Sequence, residues 1–128
     1  MSRRATLALL ASAIVGAALL VGGLVPTSWG QGPVRRDGPI LHALGFALFV
    51  LPLVATWPRK WWAFVIATSL FGVAIEGLQM FTDRATELED IVANCVGAGI
   101  GAALGLAVAW VWPERPGRNE VERRRSGP

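Results

Sequence analysis

Four apolar blocks, each long enough to cross a bilayer, constrain this chain more than any other feature. They run over residues 5–25, 40–57, 61–81 and 91–112. At about 1.5 Å of helical rise per residue, each spans roughly the 30 Å hydrocarbon core. None alternates with period two, as a barrel strand would. Their glycine, alanine and leucine content suits membrane helices. The composition agrees: 53% of residues are hydrophobic and only 16% charged, whereas soluble domains carry about a quarter charged residues. The reading is an all-α, multi-pass four-helix bundle spanning residues 1–116. A basic tail over 117–128 is polar enough to be expected without structure.

The first block has a basic flank at Arg3 and Arg4, as a signal peptide would. It is too long for a signal h-region, and no Ala-x-Ala site precedes Gln31, so we expect a retained span. Basic residues set the orientation. Arg3, Arg4, Arg59, Lys60, Arg115, Arg118, Arg123, Arg124 and Arg125 fall on one side, against Arg35, Arg36 and Arg84 on the other. Both termini are therefore expected in the cytoplasm, with the protein in the cell membrane. Trp57, Trp61, Trp62, Trp110 and Trp112 fit an inner interfacial belt and Trp29 an outer one. The net charge of +3 follows from this topology and from the anionic inner leaflet; it does not point to nucleic acid.

Within the third block stands Glu76, flanked by apolar residues. An acidic side chain at the centre of a span costs about 2.5–3.5 kcal/mol on insertion scales, and such residues usually mark function. Other polar residues gather at the same depth. His42 lies near the outer end of the second block, Gln79 one turn beyond Glu76, and Asp90 and Asn94 near the start of the fourth. Ser69, Gly72, Glu76, Gln79 and Asp83 recur at three- and four-residue intervals, as do Asp90, Asn94, Gly97, Gly101 and Gly105. Each series is one helical stripe. The three glycines form a ridge suited to close helix approach, within the bundle or between copies in a homo-oligomer. Asp90 begins its helix and also suits an N-cap. Cys95, the single cysteine, reads as a small packing residue. The outer loops place Arg35, Arg36 and Arg84 above the cluster, where guanidinium groups suit a phosphate or carboxylate.

His42-Ala-Leu-Gly-Phe46, Glu76-Gly-Leu-Gln79, Arg84 and Asp90-Ile-Val-Ala-Asn94-Cys-Val-Gly97-Ala-Gly-Ile-Gly101 together resemble the VanZ-like family of small bacterial membrane proteins, over about residues 37–105. Family members often carry a lysine three residues before the histidine; Pro39 stands there, so any role of that lysine is absent or passed to Arg35 or Arg36. The resemblance implies a four-helix membrane topology, a cell-envelope role and a link to low-level glycopeptide resistance.

Two classes of function remain open at this level. In one, the pocket binds or modulates an envelope lipid or lipid-linked precursor, with Gln79, Asn94, Arg84, Arg35 and Arg36 as binding residues. In the other, a membrane-embedded enzyme uses Glu76, Asp90 and His42 for acid–base chemistry on a lipid-linked phosphate. Asp90 would orient His42 or share a cation with Glu76, and such a Glu/Asp/His set could hold Mg²⁺ or Zn²⁺. Yet no nucleophile signature and no compact motif such as His-Glu-x-x-His occurs in the sequence, so neither a cofactor nor a metal is expected.

Overall fold

The computed structural model describes residues 2–24, 38–81 and 88–112. Four helices run in chain order: α1 (Arg3–Leu24), α2 (Gly38–Thr56), α3 (Trp61–Gln79) and α4 (Leu88–Val111). A 3₁₀ turn over Pro58–Lys60 joins α2 to α3. No strand occurs among the described residues. All four helices are long and apolar enough to cross a membrane. Helix boundaries fall within three residues of the blocks read from the sequence, the largest shift being the start of α4 at Leu88 instead of Ile91.

In a bilayer the lipid is as apolar as the side chains, so helices associate through close packing and interhelical hydrogen bonds. The seam between α2 and α4, the most extensive in the protein, follows that rule. Gly97, Gly101 and Gly105 bring α4 against the backbone of α2. A Cβ on Gly97 would overlap the Ala43 backbone, and one on Gly101 the Ala47 backbone. The glycine ridge is thus filled by α2 of the same chain. The spacing suited either the bundle or a contact between copies, and in this structure all three glycines face α2. Below the ridge, Val50, Val54, Ala98 and Ala102 make the buried core, with Phe49, Phe64 and Val65 packed around it.

Helix α1 packs on α2 and α3. Ser12 Oγ donates to Phe49 O at 2.8 Å. This bond sits just before Pro52, which lies inside α2 and has no N–H to give to the preceding turn. Hydroxyl groups from neighbouring helices commonly accompany such breaks in membrane helices. At the other side of α1, Gln79 Nε2 donates to Gly23 O at 2.8 Å. That carbonyl lies in the last turn of α1, where the helix has no N–H donor of its own to offer it.

One end of the protein collects the start of α1, the α2–α3 turn and the end of α4. Arg4 joins them: Nη2 donates to Ala55 O at 2.8 Å and Nη1 to Trp112 O at 3.1 Å. A guanidinium there satisfies the final carbonyls of two helices and faces the negative ends of their dipoles. Arg59 and Lys60 are exposed in the adjoining turn. Cys95 is exposed on α4. Cys95, read from the sequence as a small packing residue, lies on the outward face, beside exposed Val96, while Asn94 turns inward.

Candidate functional site

The opposite end gathers the polar residues. By helical rise, Asp90 is about 3 Å into α4, Glu76 about 4.5 Å from the end of α3, and His42 about 6 Å into α2. Three antiparallel or neighbouring helices thus present these side chains in one depth band. His42 Nδ1 stands 3.5 Å from Asp90 Oδ1 and 4.0 Å from Glu76 Oε1. One ligand atom from each of the three lies within 4.8 Å of the others.

Burial grades across the cluster. The Glu76 side chain is 2% exposed, whereas His42 and Asp90 retain 21% and 19%. Glu76 is the base of the site and the other two form its rim. The floor is apolar. Phe46, one turn below His42, is buried, as is Ile75. Phe71 packs against both Phe46 and Phe49, with ring centroids 6.3 Å and 5.7 Å apart. Asp90 lies in the first turn of α4, not at its N-cap, because the helix starts two residues earlier. The positive end of the helix dipole still favours a carboxylate there.

Asn94 sits one turn below Asp90 and is 2% exposed. Its side chain enters the seam between α3 and α4 because residue 72 is glycine. A Cβ at that position would stand 2.9 Å from Asn94 Nδ2. Gln79 is buried too, with its amide nitrogen engaged by Gly23 of α1. The α3 stripe differs slightly from the sequence reading. Thr68, Gly72, Ile75, Glu76 and Gln79 are buried, while Ser69 is half-buried. Thr68 precedes Gly72 by one full turn, so the same spacing argument would have found it. Arg35, Arg36, Arg84 and Asp83 lie outside the described residues.

The helices and this cluster define a multi-pass helical membrane protein with a group of polar side chains gathered at one end of the bundle. The family model VanZ/LLP1 matches residues 10–110, a stretch that holds most of α1 and every residue of the cluster named above. The chain belongs to the VanZ family. No curated protein and no solved structure matches it.

Proposed function

We propose that this protein sits in the cell membrane with both termini cytoplasmic, and binds or modulates an envelope lipid or lipid-linked precursor at the pocket around His42, Glu76 and Asp90. The observation that carries this reading is the gradient of exposure: a buried carboxylate at the base, with a partly open imidazole and carboxylate above it. Polar side chains inside a membrane protein face interior cavities and mark pathways or ligands. Arg4, Arg59 and Lys60 gather at the end away from the pocket. By the positive-inside rule that end is cytoplasmic, which directs the pocket to the outer leaflet. Arg35, Arg36 and Arg84 of the connecting loops are the residues to grip an anionic head group. The family link supports a contribution to low-level glycopeptide resistance.

A second reading is favoured by His42 lying between two carboxylates at 3.5 and 4.0 Å. In it the same set performs acid–base chemistry on a lipid-linked phosphate, with Glu76 as base or acid and Asp90 orienting the imidazole.

Mass spectrometry of lipids that co-purify with the native protein tests both. Binding predicts enrichment of one anionic lipid or precursor over the bulk membrane, lost in the Asp90→Asn variant. Co-purified lipid identical to the bulk, with glycopeptide susceptibility unchanged by deletion or overexpression, would overturn the proposal. Glu76→Gln separates the readings: retained lipid with lost phenotype favours chemistry, and wild-type behaviour in both excludes it.

A further inference from the structure

The residues of this pocket share a geometry that head-group binding alone does not require. We propose that His42 Nδ1, Glu76 and Asp90 together hold one divalent transition-metal ion, of the zinc class. The ion-to-ligand chemistry sets the spacing. Ligands about 2.1 Å from a tetrahedral zinc stand roughly 3.4 Å from one another. His42 Nδ1 and Asp90 Oδ1 are 3.5 Å apart, and Glu76 Oε1 is 4.0 Å from the same nitrogen. The third edge, from Glu76 to Asp90, lies within 4.8 Å, so the Glu76 side chain has to turn toward the ion to complete the set.

A second observation is independent of that spacing. His42 Nδ1, Asp90 Oδ1 and Asn94 Oδ1 are buried atoms with no hydrogen-bond partner among the described residues. Buried polar atoms are satisfied in the great majority of cases. One ion at the cluster satisfies the nitrogen and the carboxylate oxygen together. Asn94, 2% exposed and packed into the α3–α4 seam beside Gly72, adds a further acceptor directly beneath Asp90. The ligands come from three helices, so no contiguous metal motif exists to be read in the sequence.

The donor set selects the metal. Magnesium and calcium take oxygen ligands, and magnesium keeps much of its water. An imidazole with two carboxylates suits zinc, manganese or iron instead. Three protein ligands leave a coordination position open, on the side where His42 and Asp90 are partly exposed. An ion there would present positive charge to a phosphate or carboxylate. The metal site itself stands whether or not the pocket takes an envelope lipid.

Tag-free protein in detergent, stripped with chelator and dialysed, is titrated with Zn²⁺ by calorimetry and with Co²⁺ by visible absorption. The expected result is one ion per chain. His42→Ala and Asp90→Asn, checked for unchanged helicity and monodisperse elution, should each weaken binding by more than the roughly 10-fold that follows loss of even a supporting group. Cys95→Ser should bind as wild type. Because His42 is the sole histidine, ¹⁵N-histidine labelling gives one imidazole, and Zn²⁺ should shift its Nδ1 signal in the wild-type protein. This arm decides the question if the variants misfold. No stoichiometric ion, binding abolished by Cys95→Ser, an Nδ1 signal unmoved by Zn²⁺, or displacement of Zn²⁺ by an equal concentration of Mg²⁺ would each overturn the proposal.

Discussion

Asn94 occupies space that exists only because residue 72 is glycine: a Cβ there would stand 2.9 Å from Asn94 Nδ2 and 3.1 Å from Asn94 Cβ. Phe46 closes the other side at 3.1 Å. Gly72→Ala must therefore displace the amide or separate α3 from α4. Overpacking of this kind costs about 1–3 kcal/mol. Reversible unfolding in mixed micelles measures it, and Gly72→Ala should be less stable than Gly77→Ala, whose added Cβ meets nothing within 4 Å.

The glycines of α4 should divide sharply. Gly97 and Gly101 face the α2 backbone, whereas a Cβ on Gly99 meets nothing within 4 Å. Gly97→Ala and Gly101→Ala should lower stability by about 1–3 kcal/mol. Gly99→Ala should be neutral or slightly stabilising, since alanine is the better helix former by about 1 kcal/mol. Parallel unfolding curves for the three variants check the ordering.

Gln79→Leu removes the donor to Gly23 O in the last turn of α1. Interhelical hydrogen bonds in membranes average about 0.6 kcal/mol, with a maximum near 1.7. A loss within that range is expected, together with faster proteolysis or exchange at the end of α1 and little change at the Arg4 end.

Orientation has its own test. On a Cys95→Ser background, cysteines at Arg59 and at Phe81, both exposed, report opposite ends of the bundle. Impermeant thiol reagents added to intact cells should label position 81 and spare position 59. The reverse pattern would place the pocket at the inner leaflet.

The spans were legible in the sequence because a bilayer requires about 20 apolar residues per helix, a requirement a linear pattern displays directly. The convergence of His42, Glu76 and Asp90 was legible for a related reason. Helix length and alternating direction fix depth, and three- and four-residue spacing fixes the face. Features that depend on partner choice were not. The glycine ridge shows that something approaches α4 closely, and spacing alone does not say that Ala43 and Ala47 of the same chain do so. Cys95 shares its helix turn with Asn94, yet a one-residue offset of about 100° turns it outward. The double role of Arg4 at two helix ends depends on contacts far apart in sequence. The residue types of a cation site were legible in the sequence, but with no compact motif to fix them their mutual distances were not, since each rides on a different helix.

The central claim is that α2, α3 and α4 of one chain bring residues 42, 76 and 90 together at one end of the membrane. Paired cysteines on the Cys95→Ser background test it most directly, using a short bifunctional thiol reagent in native membranes. Cysteines at positions 42 and 90, and at 76 and 90, should cross-link within a single chain. A pair at positions 76 and 55 should not, because Ala55 lies beside Arg4 at the opposite end. Cross-linking of 76 to 55, or failure of both pocket pairs in protein that remains folded, would contradict the account.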